Sequence, residues 1–165
     1  SEGNPKAAPD GQFFFGPGIY VPSGFNGPNQ GFTGVVSLTR FQNIGSVSLR
    51  SSDPKDTPII RMNYLQSEAD VQKLVAGIRL MRKLFQSKAF NDFASKEIVP
   101  GPGVETDAAL EAYIRETCGT GNHPAGTCKM GIDPMAVVDP ELRVHGIKGL
   151  RVADASIMPT LIRGN

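Results

Sequence analysis

The spacing of apolar positions changes twice along this chain of 165 residues, from short alternating runs to a helical stripe and then to turns. Residues 1 to 34 are rich in Gly and Pro around the cluster Phe13-Phe14-Phe15 and the run Ile19-Tyr20-Val21, which predicts short strands joined by loops. Val35 to Arg40, Ser46 to Arg50 and Ile59 to Tyr64 are β-prone. Between Gly45 and Arg50 the apolar Val47 and Leu49 alternate with Ser46, Ser48 and Arg50, the period of a sheet with one face in water. The intervening Asp53-Pro54-Lys55-Asp56-Thr57-Pro58 is turn chemistry, because proline fixes φ and Asp side chains bond to nearby backbone.

Helical spacing follows. Val71, Leu74, Val75, Ile78, Met81, Leu84 and Phe85 fall on one apolar stripe. Ser67 is the expected cap, Glu68 and Asp70 sit at the positive end of the helix dipole, and Arg82, Lys83 and Lys88 lie toward the negative end. The basic side chains of this helix read as a solvated face. A shorter helix is predicted from Asp107 to Thr117, capped by Thr106 and burying Leu110, Ile114 and Tyr113. From Gly119 onward turns dominate, with a turn at His145-Gly146 and a last strand from Leu150 to Ala153. A boundary near residue 118 separates an antiparallel sheet with packed helices from a segment suited to another sheet.

Composition sharpens this α+β reading. Gly 19 and Pro 13 together make about a fifth of the chain, against an average of about 12%, in keeping with long irregular connections. The net charge of +1 and the scattered Lys and Arg give no footprint for a phosphate backbone, so nucleic acid is not an expected partner. No apolar run approaches the ~18 residues of a membrane span, and membrane association is not indicated. Two cysteines make no disulfide framework, and with no targeting signal visible the default expectation is a cytoplasmic protein. The first and last residues are expected to be cuts through a longer chain.

Chemistry gathers in the last third. His123, one of two histidines, lies in a Gly-rich loop between Asn122 and Pro124, where an imidazole can face a cleft and act as a general base. The bland alternative is an exposed loop histidine, and His145, at a turn, reads as structural. Cys118, His123 and Cys128 stand in a C-x4-H-x4-C pattern, but a structural zinc site needs four ligands, so no metal is assigned and the cysteines are expected to be small buried residues. There is no G-x-G-x-x-G, no P-loop and no G-x-S-x-G elbow.

The run His123-Pro-Ala-Gly-Thr-Cys-Lys-Met-Gly131, then Ala136 through Thr160, and Gly164-Asn165, resembles the C-terminal region of the glucose-methanol-choline oxidoreductases, with support from Gly45 to Arg50 and Asn63-Tyr-Leu65. The resemblance implies FAD as cofactor and a small-molecule alcohol, choline-like or other, as substrate. It implies a partial substrate-binding domain at 1–117, mostly antiparallel sheet with packed helices. At 118–165 it implies a return segment into an FAD-binding α/β domain supplied by the remainder of the same polypeptide. It places His123 as the general base for a hydroxyl proton while the flavin accepts the hydride. Asn165 falls at a second active-site position, and Asp154 and Ala155 where a strand end approaches the FAD pyrophosphate and ribityl chain. The sequence departs from the family at Arg163, where a small residue is expected, and lacks the helix expected after Asn165. The 165-residue chain alone is expected to be inactive. An oxidase and a hydroxynitrile lyase are rivals within the family, and a non-catalytic small-ligand or protein-interaction module is the rival outside it.

Overall fold

In a computed structural model of the chain, residues 8–20, 28, 30–94 and 96–163 are described. The described elements are strands β1 (Gly11–Gly16), β2 (Thr33–Leu38), β3 (Ser46–Ser48) and β4 (Ile59–Arg61) and helices α1 (Glu68–Phe85) and α2 (Asp107–Thr117). Short 3-10 turns form at Lys88–Phe90 and Ala155–Ile157. Two antiparallel pairs result, β1 with β2 and β3 with β4, and the fold is α+β. The chain divides into two compact units, Ser1–Asn43 with Leu65–Gly119, and Ile44–Tyr64 with Thr120–Asn165. The β3–β4 hairpin therefore groups with the turn-rich end of the chain, although sequence order sets it among the elements of the first unit.

The first unit is a hairpin laid on two helices. Phe13 pairs with Val36 and Phe15 with Gly34, so these residues share one face of the hairpin. Glycines permit the contact with α1. A Cβ on Gly34 would come within 2.6 to 2.8 Å of Met81 Sδ and the Phe85 ring, and one on Gly77 would collide with Val36. Leu38, Leu74, Val75, Leu110 and Ile114 form the core, with Val36, Leu65, Ile78, Val104 and Tyr113 packed against it. Each large side chain so buried contributes about 1.5–3 kcal/mol. Beyond the end of the hairpin the rings of Phe15, Phe32, Phe85 and Phe90 pack mostly edge-on or tilted, with centroids 4.9 to 6.3 Å apart.

Helix α2 spans the predicted residues, and Thr106 Oγ1 accepts the Ala109 N–H at 3.1 Å as its cap. Helix α1 also begins after Ser67, but Ser67 makes no capping bond; its hydroxyl meets Gln42 Oε1 at 3.1 Å. Asp70, expected only to face the dipole, is fully buried, and its Oδ2 accepts Gln42 N–H at 2.9 Å and Asn43 Nδ2–H at 3.2 Å. Lys83 and Lys88 are exposed as the solvated basic face predicts, but Arg82 is not. Arg82 donates to both oxygens of Glu97, at 2.9 and 2.7 Å, and to Val104 O at 2.8 Å, which ties the 97–104 connection to α1. Arg79 does the same for the start of α2 through Asp107 and Glu105 O.

The strand predictions shift at their ends. Strand β4 stops at Arg61 rather than Tyr64 because Asn63 and Leu65 adopt left-handed backbone, with φ 51° and 57°, which no strand accommodates. Ile19 and Tyr20 lie outside any strand, and Val21 lies outside the described residues. Leu150 to Ala153 contributes a single bridge, Arg143 to Arg151, rather than a strand. Val47 and Leu49 do alternate with polar neighbours, but both are exposed.

Truncating Leu110, which has no exposed surface, to Ala is expected to destabilise the first unit by about 2–5 kcal/mol, whereas Thr106→Ala costs about 1 kcal/mol. Hydrogen exchange of α2 amides in the native protein checks this ordering, and equal effects would contradict it.

Candidate functional site

The candidate site lies in the second unit and is built almost wholly from backbone. After α2 the chain turns at Asn122, whose φ of 61° is held with its N–H on Thr120 Oγ1 at 2.9 Å. His123 follows with an exposed ring, and Pro124 favours extended backbone at residue 123. Three residues on, Gly126 has φ +89°, and a Cβ there would sit 3.2 Å from Met158 O. The positive φ favours glycine, and the nearby carbonyl leaves a side chain little room. Its N–H donates to Ala155 O at 3.3 Å, Cys128 N–H to Ser156 O at 2.9 Å and Met130 N–H to Ile157 O at 2.8 Å. These bonds fasten the loop that carries His123 to the turn that carries Asp154 and Ala155.

That turn is fixed from its own side. Asp154 caps the 3-10 turn with Oδ1, which accepts Ser156 N–H at 2.8 Å and the Ser156 hydroxyl. The Ser156 side-chain and backbone bonds hold the Asp154 carboxyl below the usual carboxylate range, so an exposed anion stands at the head of the turn. Ser156 is the residue that sequence reasoning missed, and its signal was local: an Asp two residues before a Ser is an Asx-turn pattern. Asn165 lies outside the described residues.

Beneath the site, Met130 also bridges Val138, which is fully buried, and Gly131 N–H donates to Val138 O at 2.9 Å. His145 Nε2 lies 3.1 Å from Gly131 O; a carbonyl only accepts, so that nitrogen carries the proton. Asp139 closes the next turn, taking the N–H groups of Glu141 and Arg143 at 2.9 Å and the Arg143 guanidinium at 2.6 Å. Cys118 is exposed and Cys128 half-buried, both as free thiols, which corrects the expectation of buried cysteines. No group of His, Cys, Asp and Glu among the described residues could hold a metal ion. No described helix is long and apolar enough to cross a membrane.

The architecture recurs in solved oxidoreductases. Pyridoxine 4-oxidase from Mesorbium loti superposes with a TM-score of 0.87 at 30% identity, over 94% of this chain and 31% of that one. Formate oxidase from Aspergillus oryzae RIB40 gives 0.75 at 33% identity, over 86% and 25%. The fold is thus that of one part of these proteins. The GMC oxidoreductase family model matches residues 42–165, and the chain belongs to that family. Among curated relatives, the oxygen-dependent choline dehydrogenase of Rhizobium rhizogenes (strain K84) is 47% identical over 163 residues, which are 95% of this chain and 29% of that protein. The corresponding protein of Serratia proteamaculans (strain 568) is 44% identical over 96% of this chain and 29% of its own length. The chain therefore spans less than a third of the relatives it matches.

Replacing Gly126 by Ala is expected to loosen the bonds between 126–130 and 155–157, since an L-residue at φ +89° costs about 1–2 kcal/mol. Faster exchange of the Cys128 and Met130 amides would show it. The sign for Asp154 is that of a depressed carboxyl: its capping is complete above the unfolded value of about 4 and is lost as pH falls through the lowered folded value. Asp154→Asn should abolish that acid-side loosening, read from the Ser156 amide resonance between pH 2 and 6.

Proposed function

We propose that this chain forms part of an FAD-dependent oxidoreductase that oxidises the CH–OH group of a primary alcohol, choline or another, with His123 as general base. The observation that carries the reading is the bonding of the His123 loop to the Asp154–Ile157 turn, which joins the proposed base and the proposed cofactor contact in one body. The choline dehydrogenases at 44% to 47% identity support the substrate class.

The residues present suit FAD. Asp154, held ionised, is an acceptor for the hydroxyls of a ribityl chain. The small Ala155 leaves the turn backbone open for a phosphate-bearing group to approach. Bound FAD supplies a hydride acceptor. His123 in its neutral form takes the proton from the substrate hydroxyl, which places negative charge on that oxygen as the C–H bond weakens. Asn165 donates its amide N–H to the same oxygen; an amide does not titrate, so it orients and stabilises without competing for the proton. The assignment of 1–117 to a substrate-binding domain and 118–165 to a return into a flavin domain belongs to the same proposal.

The structural relatives favour a second reading of the electron acceptor, since pyridoxine 4-oxidase and formate oxidase are among them. Anaerobic reduction of the enzyme by an alcohol, followed by air, separates the cases. A dehydrogenase stays reduced until its own acceptor is added, an oxidase reoxidises at once, and a lyase is never reduced. His123→Ala is expected to slow reduction by choline or its replacement substrate at least ~100-fold. An unchanged rate removes His123 from its role.

A further inference from the structure

The stretch that carries the proposed base is held on its N-terminal side by a single side chain. Thr120, Gly121, Asn122, His123 and Pro124 are all exposed, and a Cβ on Gly121 would meet no atom within 4 Å, so packing does not direct this stretch. Among the described residues, the bond from Asn122 N–H to Thr120 Oγ1, 2.9 Å long, is the one hydrogen bond made by residues 120–125. It closes a turn in which a hydroxyl accepts the N–H two residues ahead. Residue 122 sits in that turn with φ of 61°, left-handed backbone that asparagine tolerates better than most residues.

The backbone at 122 decides where His123 goes. Changing residue 122 from left-handed to right-handed or extended backbone rotates the peptide unit that joins it to His123, and the Cα–Cβ bond of the histidine turns with it. On the other side Pro124 favours extended backbone at residue 123, and the bond from Gly126 N–H to Ala155 O fixes the chain three residues on. The imidazole therefore leaves a backbone that is set at both ends, and Thr120 sets the first of them. We infer that Thr120 is a positioning residue: its hydroxyl keeps Asn122 left-handed and so presents the His123 ring to the substrate hydroxyl. Thr120 moves no proton itself. A base displaced by even ~1 Å loses rate steeply, so loosening the turn slows proton removal and leaves substrate binding alone. The inference rests on the reading of His123 as general base.

The test uses the FAD-loaded full-length enzyme, reduced anaerobically by choline or by whichever primary alcohol reduces it. Thr120→Ala is expected to lower the limiting rate of flavin reduction about 10-fold, with the apparent Kd for substrate changed less than ~2-fold. Thr120→Ser keeps an acceptor hydroxyl and brings the rate back to within ~2-fold of the parent. If Thr120→Ala does not fold, the Asn122 variants decide: Asn122→Gly accepts positive φ and retains the rate, whereas the β-branched Asn122→Val does not and loses it. In a His123→Ala background, Thr120→Ala is expected to add nothing, because the turn acts through the imidazole. An unchanged rate in Thr120→Ala, a loss that serine does not restore, or a loss that persists undiminished without His123 overturns the inference. One readout needs no turnover: the Asn122 amide should exchange ~2- to 10-fold faster in Thr120→Ala, the worth of one net hydrogen bond, and unchanged exchange removes the turn itself. An unchanged rate in His123→Ala overturns the base and this inference with it. A slow His123→Ala beside a normal Thr120→Ala overturns the positioning role alone.

Discussion

The left-handed backbone of Gly126 is the constraint on which the candidate site depends. With φ at +89° its amide points to Ala155 O, and the amides of Cys128 and Met130 then follow onto Ser156 O and Ile157 O. A Cβ at residue 126 would sit 3.2 Å from Met158 O, tight enough that the carbonyl must shift by a few tenths of an ångström. His123 lies three residues before this anchor and Asp154 one residue before its acceptor, so the glycine couples two groups that are 31 positions apart in the chain. None of this requires a large buried side chain. The site is positioned by main-chain hydrogen bonds, and each such bond is worth only about 0.5–1.5 kcal/mol net.

The second unit replaces burial by Asx turns. Asp53, Asp133, Asp139 and Asp154 each accept the N–H two residues ahead, from Lys55, Met135, Glu141 and Ser156 at 2.8 to 3.0 Å. The bonds also favour the ionised form: the Lys129 ammonium and the Met135 amide hold the Asp133 carboxyl low, as Ser156 does for Asp154. Anionic turns of this kind set backbone direction without an apolar core. The first unit works the other way, through a packed core and through Arg82, whose guanidinium gathers Glu97, Gly101 O and Val104 O at one point.

What the sequence disclosed follows from the range of the interactions. Helix α2 was legible to its ends because stripe, cap and first-turn acid are all within a few residues of one another. The stripe of α1 was equally plain, while the fates of Ser67, Asp70, Arg79 and Arg82 were not, since their partners lie 15 to 28 positions away and leave no local mark. Strand ends failed where non-glycine residues, Asn63 and Leu65, took left-handed backbone. At the candidate site, His123, Asp154 and Ala155 could be proposed from their motif. The bonds that join their segments could not, because they run between backbone atoms and carry no side-chain signature.

The same distinction bears on where stability and chemistry reside. The 120–163 segment is held by main-chain bonds with Val138 as its one fully buried apolar residue among those described. A general base needs a ring that reaches its substrate rather than one fixed by neighbours, and the exposed His123 on a glycine-anchored loop meets that need. Orientation at the site is then a matter of main-chain geometry: the Gly126 anchor fixes the loop relative to Asp154 and leaves the His123 ring in solvent.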